Sequence, residues 1–172
     1  MALLAVTVIG RDRPGIIAET TGLLAGLGAN LEDSSMTLLR GHFAMVLVAS
    51  VEVPVDEVTA ALAPLTAGGA LDVAVREVPA GDPTRDGGAP YLLSVHGGDR
   101  PGIVSAVTAE VASAGGNVTN LTTRLSGDLY VVVAEVDLPP SADAGALGDR
   151  LADVGAELGV QVSLRPVEPD LL

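Results

Sequence analysis

The chain has 172 residues, a formal net charge of −13, no Cys, and nine basic residues that are all Arg. An acidic surface repels phosphate backbones and anionic lipid, so direct nucleic-acid binding and membrane binding are not expected. Without Lys there is no phosphate-loop lysine or Schiff base, and without Cys no disulfide, thiolate metal site or thiol nucleophile. Two His alone cannot build a His-rich metal centre.

Residues 3–9 are apolar apart from Thr7 and rich in Val and Ile, which predicts a buried strand. Pro14 then fits the first turn of a helix, where a missing N–H is harmless. Ile16, Thr20, Leu23, Leu24 and Leu27 follow at helical spacing, and Gly28 stands where a left-handed C-terminal cap belongs. A mixed polar strand is expected over residues 30–39, a turn at 40–42, and a nearly all-apolar strand over 43–53, ended by Pro54. Val55, Val58, Ala61, Leu62 and Leu65 stripe a second helix, Gly68-Gly69 stops it, and residues 70–78 form a last strand.

The order then starts again. Strands are expected at 91–96, 118–125, 129–138 and 160–167, with the third joined to the second through Ser126-Gly127-Asp128. One helix carries Ile103, Val107, Val111 and Ala114, and another carries Leu147, Leu151, Val154 and Leu158. Each half is β-α-β-β-α-β, an α+β arrangement in which right-handed crossovers put both helices on one face of a four-stranded antiparallel sheet. The all-apolar third strand suits an interior position and the polar second strand an edge. The domains are expected at residues 1–79 and 91–172. Residues 80–90, with three Gly and two Pro, are the linker, and the tail from Pro166 trails off the last strand.

With one Phe, two Tyr and no Trp, the cores are built from Val, Leu, Ile and Ala. Residues 1–10 lack the basic leader of a signal peptide, and the longest apolar stretch, 43–49, is far short of the ~20 residues of a membrane span. A soluble, cytoplasmic protein is expected.

The halves match residue by residue. Gly10-Arg11-Asp12-Arg13-Pro14-Gly15-Ile16-Ile17 returns 87 positions later as Gly97-Gly98-Asp99-Arg100-Pro101-Gly102-Ile103-Val104. The same offset relates Thr21 to Thr108, Gly28 to Gly115 and Asn30 to Asn117, so the chain is an internal duplication. In each copy a Gly lets the backbone bend after the first strand, Pro sets φ for the helix, and Gly15 or Gly102 leaves the first helical turn bare. Its free N–H groups suit an anion such as an amino-acid carboxylate. Asp12 and Asp99, just outside the helix, are placed to receive the ligand's α-ammonium, and Asn30 and Asn117 offer amides at the start of the second strand.

Asp-Arg-Pro-Gly at the first strand–helix turn, with Gly-Ala-Asn or Gly-Gly-Asn after the first helix, resembles the ACT domain family. The resemblance implies two ferredoxin-like (βαββαβ) ACT domains in tandem, similar in architecture to tandem-ACT proteins of the glycine cleavage repressor type. It implies a regulatory protein that binds an amino acid, often across an interface between two domains, and acts on a protein partner. The ligand-binding residues so implied are Asp12, Gly15, Ile16 and Asn30 in one half and Asp99, Gly102, Ile103 and Asn117 in the other. No cofactor, metal or catalytic set is expected, and the chain is not read as an enzyme. An uncapped edge strand favours a homodimer.

The same residues allow another reading. The turn can be a strand-to-helix corner with Asp12 accepting the helix's own N–H groups, and Asn30 a residue tolerant of an awkward backbone. The chain would then be a ligand-independent interaction module. Arg11 becomes Gly98, Glu32-Asp33 becomes Thr119-Asn120 and Met36 becomes Thr123, so the two sites need not share a ligand. His42 and His96 have no counterparts in the other half and read as surface or packing residues.

Overall fold

The computed structural model describes residues 2–79 and 88–167. The chain divides into two compact units, Met1–Asp82 and Pro83–Leu172. The first holds β1 (Ala2–Arg11), α1 (Ile16–Gly26), β2 (Asn30–Leu39), β3 (His42–Val51), α2 (Val55–Thr66) and β4 (Leu71–Val78). The second holds β5 (Ala89–Gly98), α3 (Ile103–Ser113), β6 (Asn117–Ser126), β7 (Leu129–Leu138), α4 (Ala144–Leu158) and β8 (Val160–Pro166). Most of the linker and the end of the tail fall outside the described residues, while Ala89 and Pro90 already belong to β5.

Each unit is one antiparallel four-stranded sheet, ordered β2-β3-β1-β4 and β6-β7-β5-β8. The apolar β3 and β7 are interior and the polar β2 and β6 are edges, as their composition predicts. Alternation explains the layers: Leu4, Val6 and Val8 of β1 and Phe43, Met45 and Leu47 of β3 are buried on one face with Ile16, Leu24, Val58 and Leu62 from the helices. The second unit repeats this with Leu93, Val95, Val132 and Ala134 beneath Ile103, Val107, Leu147 and Leu151. Each such Val, Leu, Ile, Phe or Met side chain contributes about 1.5–3 kcal/mol when fully buried. Among the described residues, the opposite face of each sheet carries no helix of its own unit.

The caps follow the glycines. Gly28 and Gly115 are left-handed, at φ +72° and +75°. In each, the glycine N–H and the next N–H bond back into the last helical turn, to Ala25 and Leu24 in one copy and to Ala112 and Val111 in the other. That pattern is the Schellman motif, which satisfies carbonyls the helix end would leave free. Arg40 and Gly41, at φ +51° and +82°, make the two-residue hairpin between β2 and β3.

Two local expectations change. Pro14 is not in the first helical turn: α1 starts at Ile16, and Gly15 is its N-cap at φ +91°, ψ −2°. Pro followed by a glycine at these angles is the chemistry of a type II turn, so Gly15 is there for its positive φ. Gly102, at φ +94° and ψ −6°, does the same for α3. Gly10 and Gly97, in turn, do not mark a bend but lie within β1 and β5. A Cβ on Gly10 would run into the Ala70 carbonyl oxygen, and one on Gly97 would sit 2.8 Å from a Val160 methyl. These glycines let the neighbouring strand pass close.

Candidate functional site

Each unit presents a corner where the first strand ends and the first helix begins. Arg11 N–H donates to Ala70 O and Asp12 N–H to Gly41 O, which anchors the chain as it leaves the sheet. The type II turn then aims the chain into the helix. Gly15 has no side chain with which to cap, and no side chain among the described residues caps α1; the same holds for Gly102 and α3. Asp12 is therefore not the helix's own cap. Asp12 and Asp99 are exposed beside helix starts whose N–H groups are free of side-chain acceptors. Ile16 and Ile103 are each 1% exposed, so all they can offer a ligand is the backbone N–H.

The asparagines lie elsewhere. Arg11 pairs with His42 at one end of the sheet, whereas Asn30 pairs with Ser50, which pairs with Leu3 at the other end. In the second unit Gly98 pairs with Leu129, while Asn117 pairs with Asp137 and Asp137 with Pro90. Eight strand residues, about 26 Å at ~3.3 Å each, thus separate the Asp corner from the Asn in both units. The fold brings Asp12, Gly15 and Ile16 together, and likewise Asp99, Gly102 and Ile103. It does not bring either Asn to the corner of its own unit.

The corners are electrostatically unlike. Arg13 forms an ion pair with Glu19 in the first turn of α1, at 2.6 Å. The residue matching Glu19 is Ala106, and the first turn of α3 holds no acid. Arg100 lies over the end of α4 instead, where a Cβ on Gly159 would be 3.5 Å from its guanidinium. A cation there complements the helix dipole.

Each edge strand carries a β-bulge that sequence reasoning missed. Glu32, between Leu31 and Asp33, has no partner in the ladder, and neither does Thr119, between Val118 and Asn120. The Thr119 hydroxyl donates to the Glu135 carbonyl across the bulge at 3.3 Å. A hollow of about 380 Å³ lies beside it, lined by Tyr91, Leu92, Glu135, Asp137 and Val167 among others. A smaller hollow of about 140 Å³ lies next to the first bulge, at Asp33, Ser35, Val46 and Val48. The one sequence signal for either bulge is the loss of alternation in β2.

Two copies of a βαββαβ sandwich, each with a Pro-Gly corner opening a helix, define a duplicated ferredoxin-like protein. ACT domain family models match residues 2–72 and 91–144, and the chain belongs to the ACT domain family with a tandem architecture. A UPF0237 protein of Methanopyrus kandleri is 54% identical over 48 residues, covering 28% of this chain and 53% of that protein. A UPF0237 protein of Methanococcus maripaludis is 31% identical over 75 residues, 43% of this chain and 83% of that protein. The chain spans about half the length of several curated relatives it matches, 53% and 51% in two of them.

Among solved structures, an unknown protein from Galdieria sulphuraria is 30% identical with a TM-score of 0.80, over 97% of this chain and 99% of that one. A candidate glycine cleavage system transcriptional repressor is 19% identical with a TM-score of 0.68, over 98% of each chain, a likeness of fold. No helix among the described residues is long and apolar enough to cross a membrane.

Proposed function

We propose that this tandem-ACT chain is an amino-acid-binding regulatory protein that controls a partner protein in amino-acid metabolism or its gene expression. The observation that carries this reading is the pair of helix starts, each uncapped by any side chain, each with an exposed Asp at its mouth. Backbone N–H groups at Ile16 and Ile103 would take the α-carboxylate, and Asp12 and Asp99 the α-ammonium. Asn30 and Asn117 would complete a site only from a neighbouring module, since each is a sheet's length from its own corner. Edge strands β2 and β6 are where such a neighbour would join, within one chain or in a homodimer. The charge of −13 favours a protein target in the cytoplasm over direct contact with DNA.

The test is calorimetric titration of the full chain with glycine, serine and the branched and aromatic amino acids. Binding of one of them, lost on Asp99→Ala with the fold intact by circular dichroism, is the expected result. No heat from any of them with folded protein sinks the reading.

A second reading, a ligand-independent interaction module without catalytic activity, is favoured by β2 itself. All ten of its residues are exposed, and Met36, Leu38 and Leu39 are bare apolar side chains on an unpaired edge. In that case Asp12→Ala and Asn30→Ala leave partner capture unchanged.

A further inference from the structure

The helix-free face of the first sheet has a charge pattern that complements itself. Directly paired residues share a face, so one row of the ladder runs Asp33, Val48, Ala5, Arg76 from edge β2 to edge β4. The next rows set Val46 beside Thr7 and Ala44 beside Ile9 on the two central strands. Val46 is 49% exposed and Ile9 52%, so the middle of this face is apolar and bare. Arg76 makes no hydrogen bond or ion pair with any described residue. One Asp33 oxygen accepts from Ser34 N–H at 2.8 Å, which leaves the other free. The 140 Å³ hollow beside Asp33 opens on the same face.

We propose that this face docks a second copy of the chain, sheet on sheet, with β2 of each copy over β4 of the other. A two-fold axis parallel to the strands reverses strand order while keeping each row at its own height. Asp33 then faces Arg76 at both edges, and each Arg76 enters the hollow beside the opposing Asp33. In the centre Ile9 falls over Ala44, large against small, and Val46 falls over Thr7. Packed sheets stand about 10 Å apart at roughly −30°, which shifts the edge residues by about 4 Å, and an Asp and an Arg together span that gap.

The second sheet cannot pair with itself this way. Its equivalent row is Asn120, Glu135, Leu92, Arg165. That arrangement would press the Glu135 carboxylate onto Leu92 and leave Arg165 facing an amide. The docking needs no amino acid and stands apart from the proposed ligand site.

Sedimentation velocity of the full chain over a concentration series tests it. The wild-type chain self-associates. Asp33→Arg and Arg76→Asp each raise the dissociation constant about tenfold or more, because each change places like charges together twice. The double variant Asp33→Arg/Arg76→Asp restores association. Val46→Glu abolishes this association while circular dichroism stays native, since Val46 is half exposed in the free unit. A chain monomeric at every concentration overturns the proposal, as does an unchanged dissociation constant in Val46→Glu. Rescue of Asp33→Arg by Arg165→Asp in place of Arg76→Asp also overturns it, by assigning the face to the second unit.

Discussion

The two corners share a backbone and differ in charge. Both follow Asp-Arg-Pro-Gly, both have left-handed glycine caps within a few degrees of each other, and neither helix start is capped by a side chain. Yet Arg13 is held by Glu19 on its own helix, whereas Arg100 lies over the end of α4. Duplication has kept what the backbone needs and released what the side chains do. The turn is therefore a requirement of the fold, and its electrostatic setting is free to specialise.

The comparison can be broken first at the strand glycines, where the largest effects are expected. Gly10→Ala forces a methyl against a backbone carbonyl that has no rotamer to escape into, so about 3–5 kcal/mol of stability should be lost. Gly97→Ala presses partly on a Val160 side chain that can adjust, and about 1–3 kcal/mol is expected. Urea unfolding of both variants gives the ranking, and an equal loss would mean that the two strand crossings are alike after all. Next in size are Gly15→Ala and Gly102→Ala. Neither added methyl has an atom closer than 3.9 Å, so only the left-handed backbone resists, at about 1–2 kcal/mol in each unit. Unequal values would show that one corner is held by more than its dihedral angles.

Smaller effects sharpen the contrast. Arg100→Ala removes a cation from a helix end and should lower stability by about 0.3–1 kcal/mol, an effect that fades with added salt. Glu19→Ala breaks an exposed ion pair and should move stability by no more than about 0.5 kcal/mol. Under the ligand-binding reading it should nonetheless strengthen binding at the first corner, which titration can follow. At the bulges, Glu32→Thr gives the first unit the hydroxyl that Thr119 gives the second, and a gain of a few tenths of a kcal/mol is expected by the same urea measurement, up to about 0.5.

Much of the fold was legible because alternation and helical spacing are strong here. The bounds of β2 and β7 follow from the Gly28-Ala29-Asn30 start of one and the turn glycine before the other, and the nearly all-apolar β3 declared itself interior. What stayed hidden depends on registry. Residues 30–33 lose the apolar alternation but do not place a bulge, because Glu32 is an ordinary strand residue until its partner is known. Gly10 reads as a bend in sequence because the close approach of Ala70 is a contact made sixty residues later. Asp12 and Asn30 look like neighbours across one helix, and only the ladder reveals that the helix carries the chain to the far end of the sheet.

The bulge at Glu32 limits any strand that extends the sheet from β2. Beyond it the edge runs without a break from Asp33 to Leu39, so an added strand finds continuous rungs only along that stretch. An antiparallel copy of the same stretch would centre on Met36, at its midpoint. The irregular residue thus marks where the regular rungs on that edge begin, and a lateral strand sliding past it would lose its matching bonds.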